Sequence, residues 1–216
     1  MKNIIYKELN LVMNPAIYLF PFLSALLLIP HYPYSVGVSY VLLGLFITFN
    51  IALANNDHLF TAMLPVPRNY IVAGKVFTVM FTEVLQLVVA LPFALLSLFV
   101  INTGGNSVGL DANMTFFGVT LIEYSLFNLI FIPWYFKTGY KTGMPMLMAV
   151  TAYAVAVAVF ETLISLIPVL HYALDGVSIA TAGYRAAVLA AGIILYFGAI
   201  LVSYKLGAKN FRKVNL

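Results

Sequence analysis

The chain has 216 residues, of which 63% are hydrophobic and only 8% are charged, and its mean hydropathy is +1.01. Soluble domains are about half apolar and about a quarter charged, so this composition excludes a soluble globular protein and indicates an integral membrane protein. The chain contains no cysteine, which excludes disulfides and thiolate metal sites. Its net charge of +4 does not indicate a nucleic-acid partner, because the cations follow the membrane pattern described below.

The first residues predict an amphipathic helix that lies in the membrane interface and ends at Asn14-Pro15. A straight extension of the first span is the alternative, and the pattern does not decide between the two. The apolar side of the helix carries Ile4, Ile5, Leu9, Val12 and Met13, and the polar side carries Lys2, Asn3, Lys7 and Asn10. The stretch is not typical of a cleaved signal peptide, since its apolar run begins late and no small-residue cleavage site follows.

Six apolar segments follow, most of them near the roughly 20 residues that a helix needs to cross a bilayer. They lie at about 14–30, 36–54, 72–101, 114–136, 144–167 and 183–206. This predicts an all-α integral membrane protein with residues 1–216 in a single transmembrane domain. Residues 165–183 are too apolar for a water-exposed loop and too broken for a span, which predicts a short re-entrant segment before the last helix.

Ten of the eleven Lys and Arg residues fall on one side of the predicted bundle, and Arg185 is near the other. The ten are Lys2, Lys7, Arg68, Lys75, Lys137, Lys141, Lys205, Lys209, Arg212 and Lys213. The positive-inside rule makes this side cytoplasmic, so we expect a multi-pass protein of the cell membrane with both termini inside. The same cations would attract anionic lipid headgroups, which accounts for the basic pI without nucleic acid.

The stretch from Asn55 to Lys75 separates two apolar segments and is expected to contain a short helix. Asn56 and Asp57 suit an N-cap, Pro65 ends the pattern, and about two turns, roughly 10 Å, lie between. Its apolar stripe consists of Leu59, Phe60, Met63 and Leu64. The spacing fits two alternatives: a loop that rests its apolar face on the lipid headgroups, and a surface that docks another protein.

The letters DHLFTAMLPVPRNYIVAGKVF resemble the second-loop signature of type-two ABC permeases. The matching residues are Asp57, Leu64-Pro65, Arg68, Ile71-Val72 and Lys75, and Pro67 stands where the family more often has Ser. The ending LVSYKLGAKNFRKVNL also resembles that of the family. Its matching residues are Ser203, Tyr204, Lys205, Phe211, Arg212 and Lys213. Together with the six spans and the interfacial start, the resemblance covers nearly the whole chain.

In that family the short helix is a coupling helix, which sits in a groove of a separate ATPase. The resemblance implies an ATPase-coupling role for Asp57, His58, Phe60, Met63, Leu64, Pro65 and Arg68. We expect Phe60 and Leu64 to be its apolar anchors, and Asp57 and Arg68 to be charges at the rim. No catalytic residue is expected in this chain.

The sequence GYKTG (139–143) does not make a phosphate-binding loop, because Tyr140 precedes the lysine where such a loop needs glycine. The chain is therefore expected to bind no cofactor, and ATP and Mg belong to a partner ATPase.

The resemblance implies the membrane subunit of an ABC exporter, in which a homo- or heterodimer of permease chains works with two ATPase copies. The expected substrate is amphiphilic: a peptide, a lipid-like molecule or a hydrophobic drug. Exporters of phenol-soluble modulins and bacteriocin-immunity pumps use permeases of about this size. One alternative is a six-helix vitamin-binding subunit of an energy-coupling importer. Another is an intramembrane enzyme, which needs clustered catalytic residues, whereas the three histidines at 31, 58 and 171 are scattered.

Three acidic residues lie within predicted spans, where a charge is costly and marks a candidate functional site. Glu83, with Gln86 and Asn128, predicts a polar translocation path between two permease copies. Pairing with Arg185 is the favoured interpretation for the other two acids, Glu123 and Glu161.

His171 and Asp175 lie four positions apart, which predicts a structural hydrogen bond on one helix face. A metal site would need further ligands, and none is expected here.

Overall fold

The computed structural model describes residues 2–102, 105–106 and 108–214, apart from the side chains of His58 and Ala62. Within these ranges the chain is helical and contains no strand, which confirms the all-α membrane class. The helices are α1 (Lys2–Lys7), α2 (Tyr34–Ala54), α3 (Asp57–Met63), α4 (Arg68–Leu96), α5 (Met114–Lys137), α6 (Gly143–Leu166), α7 (Pro168–Leu174) and α8 (Ala182–Phe211). In the described part of the chain, α2, α4, α5, α6 and α8 are long and apolar enough to cross a membrane.

The first span begins with a sharp bend. α1 continues as a π-helical turn (Glu8–Val12), and after a bend of 91° the chain runs through 3₁₀ segments between Pro15 and Leu28. Asn14 starts the new direction, because its side chain accepts a hydrogen bond from the Ala16 amide at 2.8 Å. A 3₁₀ rise of about 2 Å per residue lets this short stretch cover roughly 28 Å. The N-terminal helix is therefore not a straight extension of the first span.

α5 occupies the centre of the bundle and meets α8 along most of its length. Their backbones touch at two glycines: a Cβ at Gly118 would lie 2.7 Å from the Val188 carbonyl oxygen, and one at Gly192 would overlap the backbone of Gly118. Small residues permit such close approach between membrane helices. Aromatic side chains such as Phe127 and Phe131 fill the core on the other sides of α5.

The broken segment before the last helix consists of α7 and a 3₁₀ turn (Ile179–Thr181). Arg185 fixes this segment by donating to the carbonyl oxygens of Gly176 at 2.9 Å and Ser178 at 2.5 Å. The predicted ion pair of Arg185 with Glu123 or Glu161 is wrong, because backbone carbonyls occupy the guanidinium.

The structure brings the side chains of His171 and Asp175 together at the end of α7, as the spacing predicts. His171 Nδ1 lies 3.3 Å from Asp175 Oδ2. The second carboxylate oxygen of Asp175 accepts from the backbone amide of Asp111 at 2.9 Å. The pair therefore joins the end of α7 to the loop before α5.

The glycine contact predicts opposite effects for two matched substitutions on α8. Gly192→Ala should destabilise the protein by about 1–3 kcal/mol, because the new methyl group has no room against α5. Gly198→Ala should be neutral or stabilising, since no heavy atom lies within 4 Å of the added carbon and alanine is the better helix former. Thermal unfolding of the purified variants in detergent measures both. Equal behaviour of the two variants would contradict a close α5–α8 contact at Gly192.

Candidate coupling site

Four segments that are distant in sequence meet at one end of the bundle. The turn between α5 and α6 contacts the end of α2, where Thr142 Oγ1 donates to Asn50 Oδ1 at 2.6 Å. The chain after α8 contacts the start of α4, where Arg68 donates to the Val214 carbonyl oxygen at 3.2 Å. The N-terminal helix and α3 complete this end, as described next.

The short helix α3 points its apolar side away from the bundle. Phe60 is 60% exposed and Met63 is 82% exposed, whereas Thr61 on the opposite side is 1% exposed. Leu64 is only partly exposed, so Phe60 and Met63 form the most prominent apolar pair rather than the expected Phe60 and Leu64. No residue in the described part of the chain covers this pair.

The bounds of α3 follow from its flanking residues. Asn56 precedes the helix with φ 53°, a left-handed conformation that asparagine tolerates better than most residues. After Met63 the backbone becomes extended at Leu64, and two prolines at 65 and 67 exclude a further helical turn. The observed helix agrees with the two turns that the sequence predicts.

The inner side of α3 sits on four charged side chains, which we term the charge cluster: Lys7, Glu8, Asp57 and Lys75. Each ammonium group contacts both carboxylates. Lys7 Nζ lies 2.5 Å from Asp57 and 3.2 Å from Glu8, and Lys75 Nζ lies 2.9 Å from Asp57 and 2.8 Å from Glu8. Lys7 also donates to the Thr61 hydroxyl. The charge cluster thus joins α3 to the N-terminal helix and to α4.

These charges are largely removed from water, since none of the four side chains is more than 10% exposed. Two positive and two negative groups in alternation leave no net charge, and burial without such pairing would cost several kcal/mol per ion. Burial by itself would raise the pKa of Asp57, but Lys75 and Lys7 outweigh it and hold the pKa below its ordinary value. The stabilisation from Asp57 is therefore present at neutral pH and is lost only as the pH falls through that lowered value.

A glycine brings the N-terminal helix directly against α4. A Cβ at Gly74 would lie 2.7 Å from Ile4 Cγ2 and 3.2 Å from Glu8 Cγ. Hydrogen at this position therefore permits the approach that places Glu8 beside Lys75. α1, α3 and the first turns of α4 form one connected unit.

The structure changes the expected roles of two charged residues. Asp57 was expected at the rim of the docking surface, but its carboxylate turns inward to the two lysines. Lys7 was expected on the polar, water-facing side of the N-terminal helix, but it is buried in the charge cluster. Sequence spacing gave no signal for this, because 50 positions separate Lys7 from Asp57.

The other predicted coupling residues have different surroundings. Arg68 is exposed, and its guanidinium lies 5.5 Å from the ring centre of Phe211. Pro65 is exposed beside the apolar pair. His58 belongs to α3, but its side chain lies outside the described residues.

The three predicted path residues lie in the interior of the bundle. Glu83 Oε2 accepts hydrogen bonds from Asn128 Nδ2 at 2.8 Å and from the Tyr196 hydroxyl at 2.7 Å. Gln86 Nε2 donates to Ser24 Oγ at 2.7 Å. Glu83, Gln86 and Asn128 are fully buried, so they face other helices of the same chain rather than a surface between two copies. A route for substrate past them stays a prediction.

A comparison with protein families identifies the chain. The sequence profile of the family described as "ABC-2 family transporter protein" matches residues 3–212. The chain belongs to this family. It is accordingly the membrane permease subunit of an ABC transporter, a type of subunit that partners an ABC ATPase and generally has no ATPase site of its own. No curated protein and no solved structure gives a significant match.

The charge cluster of this ABC-2 permease predicts a non-additive mutational response. Lys75→Met should destabilise the fold by about 3–5 kcal/mol, because two buried carboxylates would then share one ammonium group. Adding Glu8→Gln should recover part of that loss, since Lys7 and Asp57 would remain as a neutral pair. Unfolding of the single and double variants in detergent measures the coupling. Costs that simply add would show that the four groups do not act as a unit.

Proposed function

We propose that this ABC-2 permease is the membrane subunit of an ATP-driven exporter, and that α3 is the helix that couples it to the ATPase. The observation that carries the proposal is the division of α3 into an exposed apolar side and an anchored polar side. Helix-in-groove recognition uses a few apolar anchors in this arrangement. Phe60 and Met63 supply the anchors.

The anchorage favours docking over mere contact with lipid headgroups. A helix that rests on a membrane surface needs no fixed orientation relative to the spans. α3 does have a fixed orientation relative to the spans, because Asp57 is bound to Lys75 of α4 and to Lys7 of the N-terminal helix. A displacement of α3 by an ATPase would therefore move α4 directly.

The proposed assembly contains two permease chains, identical or different, and two ATPase copies, which supply the ATP and Mg. The turn at 139–143 is consistent with this division of labour. Tyr140 is buried there against Phe211, and Gly139 and Tyr140 both have positive φ angles. A side chain thus fills the position where a phosphate-binding loop presents backbone amides.

An amphiphilic substrate suits the open groove between α2 and α6, which has a volume of about 760 Å³. Its walls are mostly apolar, and the hydroxyls of Ser35, Ser39 and Tyr40 lie toward the end remote from α3. A molecule with one polar and one apolar part would satisfy both regions. The proposal covers an amphipathic peptide of the phenol-soluble-modulin or bacteriocin kind, a lipid-like molecule and a hydrophobic drug.

We expect α3 and both termini to face the cytoplasm of the cell, as the distribution of Lys and Arg indicates. Because the chain has no cysteine, single cysteines at Met63 and Ile179 report the two ends of the bundle without background. Both residues are highly exposed. An impermeant thiol reagent should label Ile179→Cys on intact cells and Met63→Cys only after permeabilisation. The reverse pattern would invert the proposed topology.

The double variant Phe60→Ala/Met63→Ala should weaken binding of the ATPase by roughly 30-fold or more, because loss of a central anchor often costs about 2 kcal/mol. Co-purification of the ATPase and substrate export measure the effect. Membrane insertion should be normal, since no span changes.

Phe99→Ala is the matched control for this experiment. Phe99 is 66% exposed, close to the value for Phe60, but it lies in the π-helical turn (Ser97–Ile101) that follows the far end of α4. The Phe99→Ala variant should leave ATPase binding unchanged. Undiminished ATPase binding by an inserted Phe60→Ala/Met63→Ala variant would refute the coupling role of α3.

A further inference from the structure

Glu83 is an acidic residue in the middle of α4 with two unlike carboxylate oxygens. Oε2 accepts two hydrogen bonds, from Asn128 at 2.8 Å and from Tyr196 at 2.7 Å. Oε1 is equally buried and has no hydrogen-bond partner among the residues that the structure describes. A buried acceptor without a donor costs about 1–3 kcal/mol, and more when it carries charge.

Two residues next to Glu83 also carry buried acceptors without donors in the described part of the chain. Gln86 lies one turn along the same face of α4, and its Oε1 is buried without a partner in the described ranges. Asn128 Oδ1 belongs to the amide that contacts Glu83, and it too is buried with no donor from the described residues. Three buried acceptor oxygens on α4 and α5 thus have no donor among the described residues.

A negative charge on Glu83 would have no cation beside it within the described part of the chain. The titratable groups that face Glu83 are the phenols of Tyr196 on α8, Tyr124 on α5 and Tyr153 on α6. Among the described residues no Lys or Arg forms an ion pair with Glu83. Lys75 is the nearest cation along α4, roughly 12 Å away in a regular helix, and the charge cluster already neutralises it.

We propose that Glu83 is a proton-binding site, in which Oε1 carries the proton and the carboxyl group is neutral. Protonation gives this buried oxygen a hydrogen and removes a negative charge that no ion pair among the described residues would balance. Oε2 is then the carbonyl oxygen, and it accepts the hydrogen bonds that the Asn128 amide and the Tyr196 hydroxyl donate. The proton comes from water, and the site takes no other ligand.

The bound proton links the site to the arrangement of the helices. The neutral carboxyl group holds α4 to α5 through Asn128 and to α8 through Tyr196. A carboxylate at this depth would need water or a cation beside it, which requires one of these helices to move away. Release of the proton therefore accompanies opening of the bundle between α4 and α8. This inference does not depend on the ATPase-coupling role of α3.

Infrared spectroscopy of the full chain in lipid nanodiscs tests the proposal. The difference spectrum between wild type and Glu83→Gln at neutral pH should contain the carbonyl band of a protonated carboxylic acid, and subtraction removes the contributions of Glu123 and Glu161. Tyr196→Phe should shift this band to higher frequency without abolishing it, because the carbonyl oxygen loses one donor. Tyr153→Phe is the matched control and should leave the band in place, since its hydroxyl makes no hydrogen bond within the described residues.

A second measurement separates the proton from other occupants. Glu83→Gln should unfold at nearly the same temperature as wild type, because its amide group replaces the O–H donor, whereas Glu83→Ala should unfold at a lower temperature. A difference spectrum with carboxylate bands only would overturn the proposal. A second result would also overturn it: added sodium or potassium raises the melting temperature of the wild type but not that of Glu83→Gln. A metal cation would then occupy the site.

Discussion

The need to neutralise charges removed from water determines how one end of this permease is built. Lys7, Glu8, Asp57 and Lys75 come from three segments, and each is tolerated in a buried position only because the others are present. Gly74 permits the approach of the N-terminal helix that brings Glu8 to Lys75. The sharp bend after Val12 and the position of α3 both follow from this arrangement, because a straight N-terminal helix would carry Lys7 and Glu8 away from Asp57.

The charge cluster also explains why α3 is oriented opposite to an amphipathic helix on a soluble protein. Such a helix buries its apolar stripe and exposes its polar face. In α3, Asp57 and Thr61 face inward, while Phe60 and Met63 face outward. Polar contacts hold the helix, and the apolar side chains remain for lipid or another protein. This inversion is the physical basis for the proposed docking role of α3, and the anchorage gives the helix a fixed connection to the spans.

The spans could be predicted from sequence because their signal is local. The segment expected at 114–136 is the helix Met114–Lys137, and the segment expected at 36–54 is the helix Tyr34–Ala54. The partners of charged residues could not be predicted, since they depend on which segments meet in three dimensions. Arg185 was expected to bind an acidic side chain, but the carbonyl groups of the adjacent turn are closer. Asp57 was recognised as part of a motif, yet its partner Lys7 lies in a segment whose path depends on a 91° bend.

α4 connects the two polar sites of the permease. One face of this helix is buried and carries Lys75 near its start and Glu83 and Gln86 farther along. The opposite face carries the exposed apolar residues Val88 and Leu95. Apolar side chains in lipid hold a helix in place less firmly than polar contacts do, so this face leaves α4 free to shift. A rigid helix transmits a displacement at one end to the other, and the bonds of Glu83 to Asn128 and Tyr196 have little tolerance for a shift of even 1 Å. Force applied at α3 would thus reach Glu83 as a change in hydrogen bonding, which would connect the proposed docking helix to the proposed proton site.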